Sequence, residues 1–392
     1  MTKEIIELEN KHILNTYGRV KVAFTRGRGV YLEDPEGKKY LDFLSGLGVN
    51  ILGHSHPALV AAIEKQAKEL IHTSNLYYTE PQARLAAELN GYFGPAKVFF
   101  ANSGAEANEG ALKIALKHMP PEKTGIIAMK KSFHGRTVGA LSLTGQEVYH
   151  AGFESLLLKN VAYADYNDAA SLESLFSKNT AAVIIEAIQG EGGVNPGLPA
   201  FLRKARELCD RHGAVMIIDE IQAGMGRTGK FFAFSHYGIE PDIVTLAKGL
   251  AGGVPAGAVL IKDEIARSMT KGSHASTFGG NPLAASCSLA VLKTLKDEGL
   301  MDNAARMGAL IMDAFSVMKG KYPFIKDIRG KGLMIGIELD IDAAPVVEKA
   351  LGEGLLINAI KNRVIRMLPP LVLGEKDAEK GIGIIDGILQ KY

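Results

Sequence analysis

The sequence predicts an α/β protein with a mostly parallel sheet, and three observations support this fold class. Five short apolar segments are typical of strands covered on both faces: residues 97–100, 125–129, 181–185, 215–218 and 243–246. Longer helical patterns lie between them, such as Ala105 to His118 and Ala200 to His212. Strands and helices also alternate along the chain, which is the order of a parallel sheet that presents ligand-binding groups at its strand ends.

The two ends of the chain have a different pattern. Residues 30–42 predict a hairpin, because Asp34-Pro35-Glu36-Gly37 supplies turn-forming residues between two apolar stretches. A long helical pattern begins after Pro282, and residues 333–339 look like a strand of a separate α+β unit. We therefore predict a large domain at 50–280. A smaller domain would combine an N-terminal segment at 1–49 with a linking helix and C-terminal part at 281–392.

The composition argues against several classes of function. The 392 residues include 45 basic and 43 acidic side chains, and no basic cluster indicates a nucleic-acid partner. The N-terminus lacks the apolar core of a signal peptide and the apolar runs are short, so we expect a cytoplasmic protein with no membrane partner. Cys209 and Cys287 are too few for a thiolate metal site, and His54-Ser55-His56 has no usual ligand spacing. We predict no metal.

A candidate phosphate site follows the strand at 97–100. Ser103 and Gly104 lie at a turn from strand to helix, where the free amides of the helix could receive a phosphate. The same residues also fit an ordinary helix cap, with Ser103 as the capping residue and Glu106 completing the capping box. Both interpretations stay open on this segment alone.

Asp219 follows the apolar strand at 215–218, where a carboxylate is costly to bury without a partner. That partner could be a protonated pyridine nitrogen or a metal ion. A metal would need more ligands than the neighbouring Glu220. The carboxylate could also be solvated just beyond the strand.

Lys248 follows the next apolar strand and lies between apolar and glycine residues, away from other charges. Desolvation lowers the pKa of an amine and makes it a nucleophile towards an aldehyde. Lys248 and Asp219 are 29 residues apart, about one strand-helix-strand unit, which places both at the same sheet edge. A lysine nucleophile, a buried aspartate and a phosphate turn together indicate a pyridoxal-phosphate site.

Nine segments carry a resemblance to one known family: HTSNLYYTEPQ, NSGAEANE, FHGRT, QGEGG, DEIQAGMGRTG, LAKG, STFGGNPLA, RGKGLMIGIEL and IRMLPPL. In this order and spacing the chain resembles the class III (ornithine-type) aminotransferases of the fold-type-I pyridoxal-phosphate superfamily, from near Tyr31 to Pro370. The resemblance implies a large domain with a mostly parallel seven-stranded sheet between helices, and a smaller α+β domain from both termini. It implies pyridoxal 5'-phosphate as the cofactor.

The resemblance also implies the cofactor contacts. Lys248 is expected to hold the cofactor as a Schiff base and to move the 1,3-proton, and Asp219 to pair with the pyridine nitrogen. Phe133 would stack on the ring, and Gln222 would approach the ring hydroxyl. The other expected contacts are Ser103, Gly104 and Ala105 around the phosphate, and Glu220 and Ile221 beside Asp219.

Substrate contacts follow from the same resemblance. Arg136 is expected to bind a substrate carboxylate, and Ser276 to make a further substrate contact. Glu191 and Arg366 would form a gate: Glu191 covers Arg366 while the amino donor is bound and releases it for the α-carboxylate of glutamate. Thr277 would reach the phosphate of the neighbouring subunit in a homodimer. Ala187 departs from the family, in which proline often follows the strand glutamate.

The expected reaction is transamination of N-acetylornithine with 2-oxoglutarate, a step of arginine biosynthesis. This expectation follows because HTSNLYYTEPQ and STFGGNPLA resemble the same segments of the family members that use this donor. Succinylornithine, ornithine, 4-aminobutyrate and carrier-linked lysine precursors are alternative donors for the same machinery. An aminomutase or racemase would have no use for the Glu191–Arg366 gate. A nucleotide-binding dehydrogenase would need a Gly-x-Gly-x-x-Gly turn directly after an early strand, and no early strand of this sequence is followed by one.

Overall fold

The centre of the computed structural model, which describes residues 1–392, is a seven-stranded sheet. In spatial order its strands are Ala96–Ala101, Gly257–Lys262, Ile243–Leu246, Val215–Asp219, Thr180–Glu186, Gly125–Met129 and Val161–Ala164. Neighbouring strands run parallel, apart from Gly257–Lys262, which is antiparallel to both of its neighbours. The predicted mostly parallel α/β sheet is confirmed.

The central strands are buried on both faces because successive side chains point to opposite sides of a sheet. Ile185 belongs to the larger apolar cluster, which also contains residues of helix Pro199–His212. Ile184 belongs to a second cluster, with residues of helix Gly104–His118. This explains why the sequence of these strands is continuously apolar.

Along the chain, the helices precede, separate or follow the strands of this sheet. They are Thr2–His12, Pro57–Glu69, Glu80–Phe93, Gly104–His118, Val138–Leu143, Ala169–Leu175, Pro199–His212, Asp263–Ala266, Pro282–Asp297, Leu300–Lys321, Ala344–Gly352 and Glu375–Leu389. A further helical turn, Ser45–Gly48, has positive φ at all four residues. No helix is both long and apolar enough to cross a membrane.

Both ends of the chain meet in one four-stranded sheet, in the order Arg26–Arg28, Tyr31–Glu33, Lys39–Asp42 and Leu355–Leu356. The predicted hairpin is confirmed, because Tyr31–Glu33 pairs antiparallel with Lys39–Asp42. Lys39–Asp42 also pairs with Leu355–Leu356 from the other end of the chain. A second four-stranded sheet has the order Ile325–Lys331, Met334–Leu339, Val364–Met367 and Asn358–Ile360, and a short hairpin joins Ile188–Gln189 to Asn195–Pro196. The domain boundaries after residues 49 and 280 stay a prediction.

One connection differs from the sequence-based expectations. The connection between strands Val215–Asp219 and Ile243–Leu246 contains turns and a 3-10 helix, Ala233–His236, where we expected an α-helix.

His54 and His56 have separate structural partners: His54 lies 2.8 Å from Asp42, and His56 accepts a hydrogen bond from the first turn of helix Pro57–Glu69. No group of three or more His, Cys, Asp or Glu side chains is placed to hold a metal ion.

Candidate active site

Strand ends bring most of the predicted site residues to one cavity of about 420 Å³. Asp219 ends its strand, and Lys248 lies two residues beyond the neighbouring parallel strand, in which Thr245 pairs with Asp219. Ten residues predicted from the sequence line this cavity: Ser103, Gly104, Ala105, Phe133, Arg136, Glu191, Asp219, Ile221, Gln222 and Lys248. This is the carboxyl edge of the parallel sheet, where ligands of such sheets bind.

Four predicted residues do not line this cavity: Glu220, Ser276, Thr277 and Arg366. Ser276 lies beside it, where its hydroxyl receives hydrogen bonds from the Asn102 side chain and from Gly279. Thr277 is exposed. Arg366 is buried behind Glu191, its ion-pair partner.

Glu220 departs from its predicted role beside Asp219. Its two oxygens accept hydrogen bonds from the backbone N–H groups of Ala233 and Phe234, at 2.8 and 2.9 Å. Burial raises the pKa of Glu220 to about 8. The carboxylate thus holds the 3-10 helix that follows, and no contact with the cavity supports a cofactor role.

The turn at Ser103 forms a helix cap and remains compatible with a phosphate site. The Ser103 hydroxyl accepts a hydrogen bond from the backbone of Glu106, whereas the Glu106 carboxylate accepts one from the backbone of Asn102, one residue before the cap, so the capping box is only half formed. The first amides of the helix nevertheless stay free for an anion. At Gly104, an added Cβ would lie 2.8 Å from the Ile221 side chain, so this position requires glycine.

The Asp219 carboxylate is fixed by three hydrogen bonds. One oxygen accepts from the backbone of Ile221 at 2.9 Å. The other lies 2.8 Å from the Asn108 amide and 2.7 Å from Nδ1 of His134. Asn108 is itself held by the hydroxyl of Thr245 at 2.8 Å. This buried network leaves the carboxylate little freedom to turn away from a ligand.

Sequence reasoning did not assign a role to the partners of Asp219. Asn108 lies on the buried side of helix Gly104–His118, between Ala107 and Ala111. One sequence feature could have indicated a role for Asn108: it is a polar residue on a helix face of small apolar residues. A buried amide in such a position needs a hydrogen-bond partner. The identity of that partner could not be derived, because Asn108 and Asp219 are 111 residues apart.

Lys248 is half-buried and its backbone is strained. Its φ is 43°, in the left-handed region that residues with a side chain rarely adopt. Burial lowers the pKa of the Lys248 amine below its ordinary value; the charge of Arg366 acts in the same direction, and that of Glu191 opposes it. A lowered pKa increases the fraction of unprotonated, nucleophilic amine.

Phe133 and Arg136 line the cavity and both contact Tyr149, which the sequence did not single out. The ring of Phe133 meets that of Tyr149 edge to face, with centroids 5.9 Å apart. The guanidinium of Arg136 lies 3.8 Å from the centre of the Tyr149 ring. This cation–π contact orients an exposed arginine towards the cavity without using its hydrogen-bond donors.

Glu191 and Arg366 form an ion pair at the cavity edge. Gln222 lies against both partners, with its amide nitrogen 3.4 Å from Glu191 and its oxygen 3.4 Å from Arg366. Asn358 also contacts the guanidinium, at 3.2 Å. Burial would raise the pKa of Glu191, but the charge and hydrogen bond of Arg366 outweigh it, so this pKa lies below its ordinary value.

These residues fit a planar, anionic cofactor with an aldehyde and a basic ring nitrogen. The free amides at Gly104 suit a phosphate, the carboxylate of Asp219 suits a protonated ring nitrogen, and the amine of Lys248 suits the aldehyde. A half-buried aromatic side chain, Phe133, lies beside them. Together the fold and the site define a pyridoxal-phosphate-dependent transferase of fold type I.

The chain belongs to the aminotransferase class III family, whose model matches residues 13–389. It is 45% identical over 392 residues to the acetylornithine aminotransferase of Caldanaerobacter subterraneus subsp. tengcongensis, covering 99% of each chain. It is 46% identical over 387 residues to the acetylornithine aminotransferase of Methanocaldococcus jannaschii, covering 98% of this chain and 97% of that one.

A solved structure agrees with the fold over the whole chain. The ornithine aminotransferase of Toxoplasma gondii has a TM-score of 0.96 and 35% identity, and the match covers 100% of this chain and 94% of that one. Its description reports partial occupancy of pyridoxal phosphate at the active site. The predicted family, fold class, enzyme class and cofactor are confirmed. The roles of individual residues stay predictions.

Proposed function

We propose that this enzyme transfers the terminal amino group of N-acetylornithine to 2-oxoglutarate. The products are N-acetylglutamate 5-semialdehyde and glutamate, and the reaction belongs to arginine biosynthesis. The observation that carries the proposal is one cavity that joins Lys248 and Asp219 to Arg136, with Arg366 directly behind Glu191 at the cavity edge. Relatives at 45 and 46% identity over nearly the whole chain support the donor.

The chain's residues divide the work of holding the cofactor. Ser103, Gly104 and Ala105 would receive the phosphate, and Phe133 would lie against the ring. Asp219 would bind the ring nitrogen and keep it protonated. When bound, the cofactor supplies an electron sink that stabilises the negative charge left when the substrate loses a proton.

Lys248 would do the chemistry that the protein itself contributes. Its amine would bind the cofactor covalently between turnovers and leave when the amine of the donor arrives. The released amine has a lowered pKa, so it is available to remove a proton from the substrate and to return it at a second carbon. One side chain thereby serves as base and then as acid.

Two arginines would select the two substrates. Arg136 would bind the α-carboxylate of the donor, which places the terminal amine towards Lys248. Glu191 would neutralise Arg366 during this half-reaction, as it does in the structure. In the second half-reaction Glu191 would move away, and Arg366 would bind the α-carboxylate of 2-oxoglutarate. Ser276 would assist from its position beside Asn102.

A donor panel tests the substrate assignment. Purified protein with added cofactor and 2-oxoglutarate is assayed with N-acetylornithine, N-succinylornithine, ornithine and 4-aminobutyrate. We expect kcat/KM to be highest for N-acetylornithine, and 4-aminobutyrate to be poor because its carboxylate is one carbon closer to its amine and would not reach Arg136 with that amine at Lys248. The loss of one bidentate contact with a carboxylate corresponds to about 10- to 100-fold in kcat/KM. A preference for 4-aminobutyrate would overturn the assignment.

Ornithine is the second candidate donor, because the chain matches a solved ornithine aminotransferase at a TM-score of 0.96. The identity to that protein is 35%, against 45% for the acetylornithine enzyme of Caldanaerobacter. An ornithine enzyme must also accommodate a free, charged α-amino group, whereas an acetylated donor is neutral there. The same panel separates the two donors directly.

We further propose that the enzyme works as a homodimer in which Thr277 completes the site of the neighbouring subunit. Thr277 is exposed and lies outside its own cavity. Beside it, Phe278 is 59% exposed, and Leu76 and Tyr78 are 85 and 106% exposed on an adjacent segment. Exposed apolar side chains of this size are typical of protein–protein contacts. The cytoplasmic location predicted from the sequence stays a prediction.

Mixed dimers test the role of Thr277. Thr277→Val should weaken cofactor binding about tenfold, because one hydrogen bond to a charged phosphate is lost. Chains with Thr277→Val are combined with chains that carry Lys248→Ala, and activity is measured at limiting cofactor. If Thr277 acts across the interface, each mixed dimer has one site that combines Lys248 of one subunit with Thr277 of the other. That site should bind the cofactor with wild-type affinity. No recovery would place Thr277 in its own subunit's site or in none.

A further inference from the structure

Glu186 is a buried carboxylate in the cavity wall that the proposed function does not use. It ends strand Thr180–Glu186, pairs with Asp219 across the sheet, and is 6% exposed. No lysine or arginine forms an ion pair with it. Its two oxygens instead accept hydrogen bonds from two backbone N–H groups, Phe133 at 3.1 Å and Gly190 at 3.2 Å.

These two N–H groups belong to the segments that carry the substrate-binding charges. Phe133 lies three residues before Arg136 in the sequence, and Gly190 directly precedes Glu191. One carboxylate therefore connects the wall that would bind the donor to the gate that would distinguish donor from acceptor. Each carboxylate oxygen accepts a hydrogen bond from one segment. A displacement of either segment would therefore shift the carboxylate and, through it, the other segment.

Gly190 has little freedom to move. Its carbonyl accepts hydrogen bonds from Gly193 and Val194, which closes a tight turn around Glu191. A Cβ at position 190 would lie only 2.0 Å from the side-chain oxygen of Gln222. The position of Gly190 thus determines which groups the side chain of Glu191 can contact. Glu186, at the end of its strand, holds Gly190 in place through the hydrogen bond from its N–H group.

We propose that Glu186 is a positioning residue for the dual-substrate gate: by holding Gly190 and Phe133 together, it keeps Glu191 on Arg366 while the donor is bound to Arg136. This inference rests on the proposed function for the identity of the two substrates. The connection itself rests on the hydrogen bonds alone. Without it, Arg366 would be less well covered and would compete for the carboxylate of the donor.

The link depends on the protonation state of Glu186. The pKa of Glu186 is raised to about 7, because burial and the charge of Asp219 outweigh the lowering effects of His134 and the two N–H groups. Lys248 and the hydroxyl of Tyr166, which donates to the Glu186 carbonyl, are the other titratable groups that face it. A proton on one oxygen turns an acceptor into a donor facing an N–H group. The link is therefore intact above about pH 7 and weakens as pH falls.

Glu186→Gln tests this role, because the amide keeps the size of the side chain but replaces one acceptor with a donor. We expect KM for the preferred donor to rise about tenfold, with KM for 2-oxoglutarate changed less than about twofold. In the wild type, KM for the donor should rise as pH falls from about 8 to about 6, and the variant should lack this dependence. Equal changes in both KM values would overturn the proposal.

Glu220→Gln is the matched control. Glu220 is also a buried carboxylate at a strand end that accepts two backbone N–H groups, but it holds Ala233 and Phe234 outside the cavity. This variant should leave the ratio of the two KM values unchanged. Adding Glu186→Gln to a Glu191→Ala chain should also change that ratio no further, since the proposed effect acts through Glu191.

Amide hydrogen exchange on the chain without substrates gives a readout that is independent of the donor. Glu186→Gln should speed exchange in peptides that cover 131–136 and 188–194, and Glu220→Gln in peptides around 231–236. Absence of faster exchange at 188–194 would refute the link even if the donor panel succeeds. Faster exchange at both segments would support it even if the donor proves to be another amine.

Discussion

Replacement of Lys248 by alanine is expected to lower turnover by at least about 10⁴-fold. No other lysine lines the cavity, and the one arginine there, Arg136, carries a guanidinium group, which does not serve as a nucleophile or base in proteins. The variant should still bind the cofactor, because the phosphate turn at Ser103 and the carboxylate of Asp219 are unchanged. Turnover is measured with the preferred donor and 2-oxoglutarate, and cofactor binding by visible absorbance.

Two controls separate lost chemistry from a lost fold. Circular dichroism should give the wild-type spectrum for Lys248→Ala, since the strained φ of 43° at this position is tolerated no worse by alanine than by lysine. A small primary amine in the buffer should restore part of the rate, because it can carry the proton in place of the missing side chain. Wild-type turnover in the variant would remove the basis of the proposed function.

Replacement of Asp219 by asparagine should lower kcat by roughly 30- to 5000-fold, which corresponds to about 2–5 kcal/mol for one partner of a buried charge pair. Asparagine keeps the size of the side chain but has no negative charge to keep the ring nitrogen protonated. Its amide group would also face a donor, either on the backbone of Ile221 or on Asn108 and His134. Cofactor affinity should fall together with kcat.

The matched control for this prediction is Asp242→Asn. Asp242 is also a buried carboxylate next to the central sheet, but it pairs with Arg206 and does not line the cavity. This variant should lower the midpoint of thermal unfolding and leave kcat at saturating cofactor near the wild-type value. Asp219→Asn with undiminished kcat would show that the ring nitrogen needs no anion here.

The sequence was informative wherever a polar residue interrupts a strongly apolar pattern. Asp219 and Lys248 stand at the ends of neighbouring buried strands, and parallel strands bring such ends together. The helix cap at Ser103 could be derived from local spacing alone, because its hydrogen bonds join residues no more than four positions apart. These features needed no knowledge of distant contacts.

The strand Gly257–Lys262 and the strand Val161–Ala164 were missed for a different reason. Gly257–Lys262 is antiparallel to both of its neighbours, which the alternation of strands and helices does not predict. Val161–Ala164 is a four-residue edge strand in which only Ala164 is fully buried, so its apolar pattern is weak. Register and neighbours in a sheet depend on chain packing that periodicity does not encode.

The amino-acid sequence by itself determined the class of sheet, the two residues at its strand ends and the family, because all three depend on local patterns and on the order of motifs. Only the tertiary structure decided which of the adjacent acids Asp219 and Glu220 faces the cavity, since a strand buried on both faces is apolar on either side. It also decided that Glu186 joins two segments and that Asn108 binds Asp219 across 111 positions. Contacts between residues so far apart arise from the packing of whole elements, which no local pattern specifies.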